Sequence, residues 1–227
     1  MDTTLREHLA HTAHQEGLPR ASALPQPALQ HSPARIDVGD RTVEVLVSMA
    51  LPRLVVFGNL LSGAECDALI EATDTGGQEV NADRTSAGMF FARSENPLVQ
   101  RIEARIARLL DWPLDHGEGL QVLHYPPGAE YKPHYDYFDP AQPGAPSILR
   151  RGGQRVGTLV MYLNTPEAGG ATVFPDVRLE VAPVKGHAVF FSYDRAHPVS
   201  RSLHGGAPVL AGEKWVATKW MRERRFD

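Results

Sequence analysis

"EYKPHYDYFDP", residues 130–140, sets a histidine at 134 and a carboxylate at 136 among aromatic side chains. In an extended strand, residues i and i+2 project from the same face. His134 and Asp136 would then point together into the mouth of a barrel, if the rest of the chain builds one. Two ligands hold a metal weakly. A third histidine from a distant strand would complete the 2-His-1-carboxylate set of non-haem Fe(II) oxygenases, which leaves positions on the metal open. Without that third ligand, a His-x-Asp pair is an ordinary polar strand, because so short a match arises by chance.

The chain around this stretch reads as β structure. After Trp112, short apolar runs follow one another, divided by glycine and proline: "GLQVLHY", "EYKPHYD", "RVGTLVMYLN", "ATVFP", "VRLEVAP", "HAVFFSY", "HPVSRSL" and "KWVATKWMR". Many short strands with frequent turn signals predict a sandwich or jelly-roll barrel. Helices come earlier. "SGAECDALIEA" opens on Ser62, a good N-cap, with Glu65 completing a capping box. In "NPLVQRIEARIARLL", Asn96 caps, Pro97 takes the first turn, and Leu98, Ile102, Ile106 and Leu109 line one face. "RTVEVLV", "RLVVFGNLL" and "GMFFA" read as strands. Residues 2–16 suit a short polar helix. Residues 18–35, with four prolines, read as a linker or extended arm. The expectation is an α+β chain with helices packed on one side of a β-barrel, divided into an extension at 1–40 and a domain at 41–227.

Composition narrows the function. The 227 residues are 42% hydrophobic and 22% charged, which suits one sizeable domain with an appendage. A net charge of −4 gives no argument for nucleic acid. The single cysteine, Cys66, excludes an intrachain disulfide and fits a reducing compartment. "MDTTLREHLAHTAHQEG" lacks the apolar core of a signal peptide, and "VLVSMALP" is too short to span a membrane. The expected location is cytoplasmic, with no membrane partner, and the expected state a monomer or homodimer.

Of the ten histidines, only His187, His197 and His204 follow Asp136. Spacing leans to His204, which precedes two glycines that let backbone and ligand come close, and leaves His197 open. Ten residues past His204, in "KWVATKW", Lys214, Thr218 and Trp220 share strand parity. A cation and a hydroxyl on one barrel face suit a dicarboxylate. A lone lysine there would otherwise be a snorkelling surface residue.

Six collinear stretches, "RTSAGMFF", "GEGLQVLHYPPGAEYKPHYDYF", "GGQRVGTLVMYLN", "GGATVFP", "VAPVKGHAVFF" and "SLHGGAPVLAGEKWVATKWMR", resemble prolyl 4-hydroxylases and, more broadly, Fe(II)/2-oxoglutarate-dependent dioxygenases, over about residues 53–222. The resemblance implies a double-stranded β-helix (jelly-roll) fold. It implies His134, Asp136 and His204 as iron ligands, in place of His197. It implies Lys214 on the distal carboxylate of 2-oxoglutarate, with Thr218 beside it, Tyr125 and Tyr162 as contacting tyrosines and Trp220 as a pocket wall. Arg84, Ser86, Glu118, Tyr131, Arg155 and Arg222 match positions at the active-site mouth, several of which affect peptide substrate. Arg155 and Tyr131 are the pair nearest the reaction, with Arg155 orienting substrate rather than acting as acid or base. The Arg222 position also holds histidine in the family. Relatives commonly carry a longer connection, with an extra strand and a loop over the substrate, where this chain has "TDTGGQEVNAD", and the short 74–83 link puts substrate recognition in question. The first 40 residues match nothing in the family.

The resemblance also implies a reaction: oxidative decarboxylation of 2-oxoglutarate to succinate and CO2, coupled to C4 hydroxylation of a peptidyl proline, with O2 as cosubstrate and ascorbate as an accessory. Polyproline segments dock on aromatic surfaces, which Tyr131, Tyr135, Tyr137 and Phe138 offer. The sequence leaves two alternatives open. One is hydroxylation of a free amino acid or other small metabolite. The other is a non-catalytic metal-binding jelly roll that serves in interactions.

Overall fold

The structure, a computed structural model, describes residues 18–73 and 86–227. The helix expected at 2–16, the short 74–83 connection and Arg84 lie outside these residues.

Among the described residues, fourteen strands form two facing sheets and a small ribbon. They are β1 (Arg35–Asp37), β2 (Thr42–Met49), β3 (Arg53–Gly58), β4 (Ala87–Phe91), β5 (Leu120–Tyr125), β6 (Tyr131–His134), β7 (Arg155–Tyr162), β8 (Ala168–Gly169), β9 (Thr172–Phe174), β10 (Leu179–Val181), β11 (Ala188–Ser192), β12 (His204–Gly206), β13 (Val209–Ala211) and β14 (Lys214–Arg222). The major sheet runs β1-β2-β3-β11-β7-β14-β5-β4 and the minor sheet β10-β9-β12-β6, with every pair antiparallel. This is the expected double-stranded β-helix. Strand β11, "AVFFS", explains why two layers form. Ala188 and Phe190 pack toward the helices, while Val189 and Phe191 pack between the sheets. A strand covered on both faces needs apolar residues at every position, so it reads as a continuous apolar run.

Helix α1 (Gly63–Glu71) and helix α2 (Pro97–Leu110) cover the outer face of the major sheet, as the sequence predicts. Ile102, Ile106 and Leu109 of α2 are buried against Phe57, Leu120, Val122 and Leu159. Each such apolar side chain contributes about 1.5–3 kcal/mol relative to exposure. Both caps match the expectation. Ser62 accepts from Glu65 N–H, Glu65 accepts in return from Ser62 N–H, and Asn96 accepts from Val99 N–H. Replacing Ser62 with alanine is expected to lower stability by about 1 kcal/mol, read as a shift of the urea midpoint with an unchanged slope.

The Pro-rich arm lies along this domain. Pro25 and Pro27 are buried, and Leu24 and Leu29 pack on the helix-side core. Gln26 N–H donates to Leu110 O, and Ser22 N–H to Asp194 O. Strand β1 and buried Val38, which precede residue 41, belong to the major sheet and its core.

Two local expectations are corrected. "HPVSRSL" is not a strand. Pro198 lacks the N–H a ladder needs, and the segment folds as a 3₁₀ turn, Pro198–Ser200, capped by His197. A six-residue helix α3 (Ala145–Arg150) stands where no element was expected. Among the described residues, no helix is long and apolar enough to cross a membrane.

Candidate metal centre

Strands β6 and β12 are neighbours in the minor sheet, and His134 and His204 are direct Cα partners across them. The close approach requires Gly205, where a Cβ would lie 2.7 Å from the Tyr131 carbonyl oxygen. Each imidazole donates from Nδ1 to the carbonyl two residues back, His134 to Lys132 O at 2.8 Å and His204 to Ser202 O at 2.9 Å. A carbonyl oxygen only accepts, so both Nδ1 atoms carry hydrogen and both Nε2 atoms face inward. They face Asp136. His134 Nε2 is 3.5 Å from Oδ1 and His204 Nε2 is 3.4 Å from Oδ2. One ligand atom from each residue lies within 4.8 Å of the others, and this is the only such cluster found among the described residues. Asp136 reaches it from the bend after β6, not from the strand, so pairing across strands assembles the site as much as the parity of one strand does.

Burial by itself would raise the Asp136 pKa. The two imidazoles and Arg155 outweigh burial and hold it well below the usual carboxylate range. Burial pushes His204 down to about 4, against the pull of Asp136, so the ring is neutral and can ligate near neutral pH. Two imidazoles and one carboxylate match the donor set of a non-haem Fe(II) centre.

The triad opens on a cavity of about 280 Å³ between the sheets. On its far wall, β14 presents Lys214, Val216, Thr218 and Trp220 in alternation, as the sequence predicts. Lys214 is 3% exposed and has no carboxylate partner among the described residues; its Nζ lies over the Tyr125 ring at 5.3 Å. Burial lowers its pKa to about 8. A buried ammonium without a counter-anion fits an anionic ligand. Gln121 Oε1 and Trp220 Nε1, on the same wall, are also buried without hydrogen-bond partners among the described residues.

Residues 120–222 match the family model of the 2OG-Fe(II) oxygenase superfamily. A curated Arabidopsis thaliana protein, "Probable prolyl 4-hydroxylase 3", is 39% identical over 216 residues, covering 81% of this chain and 73% of the relative. The chain belongs to the prolyl 4-hydroxylase family. Its metal is Fe(II), and its cosubstrates are 2-oxoglutarate and O2. Among solved structures, the viral collagen prolyl hydroxylase of Paramecium Bursaria Chlorella virus-1, in complex with 2OG, superposes with TM-score 0.62 at 32% identity, covering 74% of this chain and 95% of the viral one. A Pseudomonas putida prolyl-4-hydroxylase shares the fold at TM-score 0.53 and 21% identity, covering 75% of this chain and 92% of that chain.

The other residues singled out in the sequence lie at different distances from the cavity. Tyr131, stacked on His134 with ring centroids 3.7 Å apart, lines it, as do Tyr125 and Arg155. Tyr162 is fully buried and touches the cavity through Thr172, to whose Oγ1 its hydroxyl donates at 2.8 Å. Glu118 and Arg222 stand behind the wall. Glu118 accepts from Arg155 Nε at 2.7 Å, from Arg155 Nη2 at 2.9 Å and from Arg222 Nη1 at 2.8 Å. Burial favours its protonation, but the two guanidiniums prevail and keep its pKa low. Arg222 also donates to Gly153 O at 2.7 Å. The geometry therefore makes Glu118 and Arg222 a clamp on Arg155, whose guanidinium lies over the Trp220 ring at 4.0 Å. A bulge in the β7–β14 pairing, between Arg155 and Gly157, turns Arg155 to the cavity face. Ser86 is buried away from the cavity wall. Tyr135 and Tyr137 stack on each other outside the cavity, and Phe138 lies under Arg155 and Arg222. Phe90, 55% exposed at the rim and 6.4 Å from the Trp220 ring, was not singled out from the sequence. Its position in "GMFF" next to an apolar strand face is the only sign the sequence carries.

Proposed function

We propose that this protein hydroxylates a peptidyl proline at C4, with Fe(II) held by His134, Asp136 and His204 and 2-oxoglutarate held by Lys214. The observation that carries the reading is the shared cavity. A two-histidine, one-carboxylate cluster faces one wall, and a buried ammonium without a carboxylate partner among the described residues faces it from the other. When bound, the iron and 2-oxoglutarate supply the oxidation. One oxygen atom of O2 enters the succinate formed with CO2, and the other enters the C–H bond. The protein's part is ligation, orientation and a dry pocket. Tyr125 lies against Lys214, Thr218 and Trp220 line the same face of β14 farther along the cavity, and Arg155, fixed by Glu118, orients the substrate at the mouth. Tyr131, Phe90 and Trp220 give that mouth aromatic faces on which a pyrrolidine ring can pack. Relatives named as prolyl 4-hydroxylases, and the viral structure named as a collagen prolyl hydroxylase, support proline in a peptide as the substrate.

The test is product mapping with the pure protein, Fe(II) and 2-oxoglutarate on proline-containing peptides and free L-proline in parallel. The expected product is a peptide gaining one oxygen atom at C4 of proline, with succinate released in step. Free proline hydroxylated while peptides stay inert would replace the peptide reading with a small-metabolite one. No succinate release with any added substrate would favour a binding role.

A further inference from the structure

Thr158 of β7 is fully buried, and its Oγ1 lies 2.7 Å from Asp136 Oδ2 and 3.0 Å from the Tyr193 hydroxyl. A hydroxyl has one proton to give, and an ionised carboxylate only accepts. Thr158 therefore donates to Asp136 and accepts from Tyr193, which fixes the direction of the chain of hydrogen bonds. The two hydroxyls share a rigid base. Thr158 pairs with Phe191 across β7 and β11, and Tyr193, just past β11, donates its N–H to Val156 O at 3.1 Å. Asp136 sits instead in a bend outside any strand. A ligand on a bend needs something else to hold its carboxylate.

We propose that Thr158 and Tyr193 are positioning residues for the metal centre. They engage Oδ2 of Asp136, so that the carboxylate offers Oδ1 to the ion and does not take up a second position by turning both oxygens toward it. The proposal rests on the assignment of His134, Asp136 and His204 as ligands, but not on any assignment of substrate. Partners of this kind, behind a metal ligand, typically change metal affinity by about 10- to 100-fold.

The experiment titrates Co(II) into the metal-free full chain, without 2-oxoglutarate or peptide, and reads affinity by calorimetry and the ligand field by visible absorption. Thr158→Val is expected to weaken binding about 10- to 100-fold and to change the absorption. Thr158→Ser, which restores the hydroxyl, should return both close to wild type, and Tyr193→Phe should move both in the direction of Thr158→Val by a smaller factor. Wild-type affinity and absorption in Thr158→Val would overturn the proposal. So would a Thr158→Ser protein as impaired as Thr158→Val, since volume and not the hydroxyl would then be at issue. If Thr158→Val does not fold, Tyr193→Phe decides, because it removes one oxygen atom; unchanged affinity and absorption there overturn the relay. A His204→Ala protein that binds Co(II) as tightly as wild type would overturn the ligand assignment itself.

Discussion

Replacing His204 with alanine is expected to remove iron binding and 2-oxoglutarate turnover together, while His197→Ala leaves both near wild type. The difference comes from placement. His204 Nε2 lies 3.4 Å from the Asp136 carboxylate and faces His134 across the strand pair, so its loss leaves two of three ligands on a centre that needs all three. Removing a group that only supports a ligand already costs about 10- to 100-fold in affinity, and removing the ligand itself should exceed that. His197, half-buried, caps the Pro198–Ser200 turn outside the triad, where alanine loses one local hydrogen bond. Iron titration and succinate release measured on both variants check this. Retained turnover in His204→Ala, with loss in His197→Ala, would invert the assignment.

Lys214→Ala is the second large effect. Charge-assisted hydrogen bonds contribute roughly 1.5–3 kcal/mol, so the apparent affinity for 2-oxoglutarate should weaken about 10- to 150-fold. Iron affinity should change little, because the ammonium lies across the cavity from the triad. Burial adds a pH signature. With the Lys214 pKa lowered to about 8, the empty pocket carries the charged form below that pH and loses it above. Only the charged form pairs with a carboxylate. The wild-type affinity for 2-oxoglutarate should therefore be flat on the acid side and fall as pH rises past about 8, and Lys214→Ala should lose that fall. An unchanged affinity in the variant would remove the lysine from the cosubstrate site.

The features legible in the sequence are the ones written by local period. The caps at Ser62 and Asn96 depend on residues three apart. The cavity face of β14 depends on alternate residues, and Lys214, Thr218 and Trp220 all line the cavity. The hidden features depend on which strands become neighbours. Nothing local in "SLHGG" tells that His204 will stand opposite His134, and spacing alone leaves His197 open where the resemblance does not. Thr158 reads as an ordinary strand-forming residue, and only the folded sheet sets its hydroxyl against Asp136. Glu118 and Arg222 look like mouth residues in one dimension. In three, they face each other and Arg155, and of the three Arg155 alone lines the cavity.

The position of β14 in the major sheet bears on how the protein is made. This strand lies between β7 and β5, both of which leave the ribosome well before it. Until residues 214–222 emerge, β5 and β7 flank an open slot with unpaired backbone on both sides. Open strand edges invite pairing with other chains, and partly assembled β structures of this size are prone to such errors. The cosubstrate lysine arrives on the strand that fills the slot, and His204 shortly before it. The last of the three metal ligands is therefore made while the slot is still open, and the cosubstrate lysine is made only with the strand that closes it.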